Sequence, residues 1–101
     1  MQYTERFKTK IKNAKEEIDR FIVITEKQNG TDLLLYSFKD GFDALDKFIK
    51  FDQRIDRTFI KRWSLIYGQA FRSFEGHPFL DLLDDINKDI HSIYNNSTSD
   101  E

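Results

Sequence analysis

The residues best suited to chemistry in this sequence stand together at Arg72-Ser73-Phe74-Glu75-Gly76-His77. Histidine is the side chain that ordinarily changes charge near neutral pH and is the usual choice for moving a proton. Arginine is a fixed cation whose fork of donors matches a phosphate or a carboxylate. Four residues separate the two, and the Gly76-His77-Pro78 turn places them at the end of one helix and the start of the next. A purely structural alternative stands beside this one: Arg72 pairs with Glu75 or Asp81, and His77 only precedes the proline that opens a helix. Other chemistries lack their residues. With no cysteine there is no thiolate nucleophile, thiolate metal site or disulfide framework. His77 and His91 have no Glu-x-x-His or His-x-x-x-His pairing, so neither a metal nor a cofactor is expected. The four glycines are isolated, which leaves no glycine-rich phosphate loop, and no serine sits in a sharp glycine-flanked turn.

The elements that position these residues follow from sparse punctuation. Asn29-Gly30, Asp40-Gly41 and Gly76-His77-Pro78 are the strong turn signals, and they divide the chain into four segments. From about Tyr3 to Gln28, the residues Phe7, Ile11, Ala14, Ile18, Phe21 or Ile22, and Thr25 recur every three or four positions, the stripe of an amphipathic helix. Gly30 then sits where a helix C-cap favours glycine. A second helix is expected from a Thr31 N-cap, with Leu34, Phe38, Phe42, Leu45 and Ile49 on one face and Asp40-Gly41 as a point of bending or splitting. A third spans about Arg54 to Glu75, with Ile55, Phe59, Trp63, Ile66, Tyr67, Ala70, Phe71 and Phe74 inward. Nothing in composition separates it from the second, so the two are also compatible with one long helix. Pro78 opens a fourth, carrying Phe79, Leu82 or Leu83, Ile86, Ile90 and Ile93. From Asn95 onward there is no apolar residue, so 1–95 is expected as a single helical domain and 96–101 as a disordered tail.

The fold class expected is all-α, an antiparallel four-helix bundle. The alternative is α+β with a hairpin at about 21–38, because β-branched and apolar runs flank Asn29-Gly30. In favour of helix, the stripe enters from Phe7 without losing phase, and Glu26-Lys27-Gln28 are good helix formers.

With 101 residues the chain has room for one core, and no 18-residue apolar run spans a bilayer, so no membrane partner is expected. The amino terminus, Met1 to Arg6, lacks the apolar stretch of a secretory signal, which points to the cytoplasm. The net charge of -2 provides no bulk field for polyanions. By segment, however, residues 1–30 carry net +2, 31–53 carry -2, 54–77 carry +3 and 78–101 carry -5. Sequential helices of an up-down bundle would attract one another, and the last segment holds an acidic excess suited to a basic partner. Phe59, Trp63, Tyr67 and Phe71, interleaved with Arg54, Arg57, Lys61 and Arg62, have the spacing of a base-stacking stripe. The same spacing serves as core, which is the reading taken for Phe59 and Trp63, while Tyr67 and Tyr94 are expected to show their hydroxyls at the surface.

Two segments resemble known families. Arg72 and His77, at that separation across a helix junction, resemble the Arg-x(4-6)-His motif of the HEPN superfamily, helical domains that include ribonucleases of defence and toxin–antitoxin systems. That resemblance implies metal-independent RNA cleavage by a dimer, with His77 moving the proton of the 2'-hydroxyl and Arg72 meeting the phosphate. Ser73 fits the polar residue often found beside the arginine. Residues 21–36, with Thr25-Glu26, a short loop and Gly30-Thr31-Asp32-Leu33, are similar to the helix II to helix III stretch of colicin-nuclease immunity proteins. In those proteins the second of these helices carries toxin-binding tyrosines, which would bring Thr31, Asp32 and Tyr36 to a partner. The sequence departs from that pattern at Lys27-Gln28, Leu35 and Ser37.

The function expected is therefore a small cytoplasmic helical protein that binds and modulates a partner protein, as an immunity protein, antitoxin or inhibitor does. Its candidate contacts are Asp81, Asp84, Asp85 and Asp89 of the last helix, with Tyr36 and Tyr94 as aromatic anchors and a basic protein surface as partner. The alternative is a HEPN-like ribonuclease with Arg72 and His77 as its catalytic pair and RNA as substrate. A third reading is a purely structural subunit that buries part of its aromatic surface in a homodimer, and the ribonuclease reading also implies a dimer.

Overall fold

The computed structural model describes residues 3–99, apart from the side chains of 29 and 97–99. It contains four helices: α1 (Glu5–Asn29), α2 (Leu33–Lys50), α3 (Arg57–Ser73) and α4 (Pro78–Ser99). There is no strand among the described residues, so the hairpin at 21–38 does not form; both runs are helical on either side of residues 30–32. The reason is burial. Ile18 and Ile22 continue the stripe of Phe7, Ile11 and Ala14 into the core, each at most 6% exposed. Those contacts outweigh a β preference of a few tenths of a kcal/mol per residue.

Each helix starts on a side chain that accepts a backbone N–H the helix cannot satisfy. Thr4 accepts from Phe7 at 3.1 Å, Asp32 from Leu34 at 3.0 Å, and Asp56 from Phe59 at 2.7 Å. His77 does the same for α4, accepting the Phe79 N–H at Nδ1, 3.1 Å away. The cap of α2 is thus Asp32 rather than the expected Thr31. Gly30 closes α1 with a positive φ of 81° that L side chains rarely adopt.

Helix α2 runs through Asp40-Gly41 without a break, because a helical glycine costs only about 1 kcal/mol and Gly41 faces the Trp63 ring. It does stop before α3. The Gln53 N–H reaches the Phe48 carbonyl and the Asp52 N–H the Ile49 carbonyl, at 2.8 and 3.2 Å, with Asp52 at φ 49°. This is a Schellman closure with aspartate in the left-handed position usually taken by glycine. The one-long-helix alternative is therefore excluded. At the other end of the chain α4 continues past Asn95 to Ser99, into the segment expected as a disordered tail, since extending a nucleated helix costs little. Residues 100 and 101 lie outside the described residues.

The molecule measures 47 × 23 × 20 Å, two helix diameters in each short direction. Helix α1 packs on α2 and α4, and α3 on the same two, which makes a square antiparallel bundle in chain order. Its core holds Ile11 and Ile18 from α1, Phe38 and Phe42 from α2, Trp63 from α3, and Leu83 and Ile86 from α4, all at most 1% exposed. Leu35, not Leu34, begins the buried face of α2. No helix among the described residues is long and apolar enough to cross a membrane.

Candidate functional site

Arg72 lies in the last turn of α3, and His77 caps α4 after the turn at 74–76. The His77 ring stacks on Phe21 of α1, with centroids 4.5 Å apart and planes 13° from parallel. Its Nδ1 is committed to the cap as an acceptor, which fixes the proton of the neutral ring on Nε2. Both side chains are exposed, but no hydrogen bond joins them, and Arg72 pairs with neither Glu75 nor Asp81 among the described residues. The corner thus holds an imidazole with a structural task and a guanidinium without one.

The His77 ring also borders a groove of about 540 Å³ between the C-terminal half of α1 and the start of α4. Phe21, Ile24, Phe79 and Leu82 make its apolar floor and walls, and Arg20 and Glu17 stand in its lining.

The acidic residues of α4 turn out to be largely engaged within the bundle. Asp85 and Asp89 both hold Lys10 of α1, at 3.1 and 2.7 Å. The hydrogen bond from Lys10 to Asp89, with a smaller one to Asp85, raises the ammonium pKa despite desolvation. Asp84 accepts the Tyr67 hydroxyl at 2.7 Å and meets Lys88 at 3.3 Å. Those two contacts, Tyr67 first, hold the Asp84 carboxyl below its ordinary pKa. Burial, reinforced by Asp84, pushes the Tyr67 phenol up to about 12. Asp81, in the first turn of α4, is exposed. The aromatic anchors are likewise occupied in part: the Tyr36 hydroxyl donates to Glu26 of α1, and Tyr94 packs against the edge of the core.

The charge alternation is realised on two of the four helix contacts. Lys15 of α1 meets Asp43 and Asp46 of α2 at 3.4 Å each, Asp19 meets Lys39 at 2.9 Å, and Lys10 bridges α1 to α4. The cations of α3 behave differently. Arg57, Lys61, Arg62 and Arg72 are exposed and make no ion pair among the described residues. Helix α4 meets α3 instead through neutral donors, Tyr67 to Asp84 and Trp63 Nε1 to Asn87 at 2.9 Å. Beside these cations stand two of the large exposed apolar side chains, Leu65 at 70% and Phe71 at 56%. Phe59, Trp63 and Tyr67 point inward or along the α3 flanks, so the base-stacking stripe is not displayed.

Sequence reasoning placed the leftover charge on α4 and missed the outer face of α3. The signal was present in the net charges of +3 and -5, but not which helix each carboxylate would find. The fold and this surface define the protein as a four-helix bundle in which the outer face of one helix, α3, is basic and partly apolar. Compared with protein-family models, with curated proteins and with solved structures, the chain matches none.

Proposed function

We propose that this is a small cytoplasmic interaction protein that binds and modulates a partner protein, in the manner of an immunity protein, antitoxin or inhibitor. The observation that carries the reading is the outer face of α3. There Leu65 and Phe71 are more than half exposed beside cations with no ion pair among the described residues. Contiguous exposed apolar patches rimmed by polar side chains mark protein contact surfaces. A basic partner at α4 would have to displace Lys10 and Lys88 from Asp84, Asp85 and Asp89, leaving Asp81 as the readily reached carboxylate. The test is purification of the tagged full chain from its own cells, followed by sedimentation. A stoichiometric complex with one identified protein is expected; a chain that sediments at its own 12.1 kDa mass overturns the reading.

The exposure of Arg72 and His77 at one corner supports the ribonuclease alternative enough to test it. His77→Asn is the informative variant, because asparagine can still cap α4 but cannot relay a proton. Under the interaction reading, wild type and variant are equally inert on RNA in the presence of a chelator. Cleavage by the wild type that His77→Asn abolishes, with the melting temperature kept, would establish the enzyme.

A further inference from the structure

We propose that the outer face of α3 docks an acidic amphipathic helix of the partner protein; the proposal rests on the interaction reading and names the chemistry of its contact. Arg57, Lys61, Leu65, Gly68 and Arg72 follow one another at steps of four, four, three and four, so they share one side of α3. That side lies opposite Trp63 and Ala70, which are 1% and 0% exposed in the core. The ridge is about 22 Å long at 1.5 Å per residue, enough for four turns of a partner helix. Leu65 stands between Lys61 and Arg72 along it, and Phe71, its ring against Tyr67 at 5.8 Å, flanks it on the α4 side.

Gly68 provides an independent indication. It sits inside a helix, where glycine is the poorest residue after proline. A Cβ added there would meet nothing within 4 Å, so the bundle itself makes no demand for glycine. The missing side chain leaves a notch next to Leu65 into which another backbone can approach closely, as ridge-into-groove helix packing uses. The charge complementarity sets the partner's sign: Arg57, Lys61 and Arg72 of the ridge lack ion pairs among the described residues and would find them in carboxylates. A nucleic acid fits less well, because a leucine occupies the ridge and Trp63 and Phe59 are turned away from it. A second copy meeting this face with its own α3 would set cation against cation.

The experiment is a titration of the isotope-labelled full chain with a synthetic helical peptide of about 20 residues, long enough to cover the ridge. The peptide carries a leucine-alanine seam flanked by glutamates. Saturable amide shifts confined to residues 57–72 are expected, weakened about tenfold by Lys61→Glu with Arg72→Glu and by raised salt. Leu65→Ser, which removes no buried contact, should weaken binding while keeping the circular-dichroism melt, as should filling the notch with Gly68→Phe. The proposal is overturned if a lysine-for-glutamate peptide binds equally, if the double variant binds unchanged, or if no saturable shift occurs. It is equally overturned if single-stranded RNA occupies the face more tightly than the peptide. Saturable binding of the peptide at another face overturns the α3 assignment alone and leaves the interaction reading standing. RNA cleavage without peptide binding removes both.

Discussion

Trp63 is the side chain that ties three helices into one core. Its ring meets Phe38 edge-on at 5.5 Å and Phe42 at 6.0 Å, while its Nε1 donates to Asn87 of α4. Truncating a fully buried aromatic removes its transfer free energy and leaves a cavity, so Trp63→Ala is expected to cost about 3–5 kcal/mol. Against a total of about 5–15 kcal/mol for a domain of this kind, urea denaturation should show a large fall in midpoint, with the variant close to unfolding. Gly68 predicts the opposite sign. Gly68→Ala should raise stability by about 1 kcal/mol, and the melting temperature by several degrees, because the new methyl group meets nothing and the helix loses its most flexible residue. No change on melting would mean that the outer turn of α3 is not helical in solution. Arg72 and His77 were conspicuous in the sequence because of their types and spacing. The ring contact with Phe21 and the Nδ1 cap were not legible there, since Phe21 lies on another helix 56 positions away.

At the scale of elements, helix identity came from periodicity and helix boundaries from single side chains. Asp56 and Asp52 hold the α2–α3 connection in different ways, one by capping α3 and the other by reversing the chain after α2. Asp56→Ala should cost about 1 kcal/mol in chemical denaturation, the usual loss of an N-cap. Asp52→Val should cost about 1–2 kcal/mol, because a β-branched residue resists a φ of 49°. If Asp52→Val were neutral, the Schellman closure would not be what ends α2. This break was hidden in the sequence because aspartate is a weak signal where glycine is the strong one. The α1 stripe and the Pro78 start were legible, because an i, i+4 pattern with few turn signals leaves little choice, whereas the helix count waited on the break after α2. The periodicity puts Phe71 inward with Phe74, yet only Phe74 is buried; Phe71 sits at the margin of the stripe, where a small rotation of α3 decides exposure.

At the scale of the molecule, two phenols, one buried and one half-buried and hydrogen-bonded across helices to Asp84, give stability a defined pH dependence. The phenols of Tyr3 and Tyr67 are both pushed from 10.0 up to about 12 in the folded chain, mainly by burial. The folded state therefore favours the protonated phenol. Their contribution is complete below about pH 10 and is lost as the pH rises through about 12. Alkaline unfolding followed by circular dichroism should coincide with the rise of tyrosinate absorbance, and Tyr67→Phe should remove part of that coincidence. Tyrosinate appearing well before the helical signal falls would show that these hydroxyls are not held. Asp84 has the opposite sign: its folded pKa lies below 3.8, so its contribution is present above that value and fades as acid protonates it.

By itself the sequence determined the helical stripes, their order and most of their buried faces, because local periodicity leaves few ways to bury them, while the hairpin at 21–38 and one continuous helix for α2 and α3 were excluded only by the tertiary structure. The sequence also set the total charge of each helix. Only the tertiary structure decided how that charge is spent. Lys10 reaches over to Asp85 and Asp89, and Tyr67 to Asp84, while Arg57, Lys61, Arg62 and Arg72 make no ion pair with a carboxylate of α4 among the described residues. Net charge is a sum over a segment, whereas an ion pair needs two side chains within about 4 Å. The rotation of each helix about its axis makes that choice, and core packing around Trp63 sets the rotation.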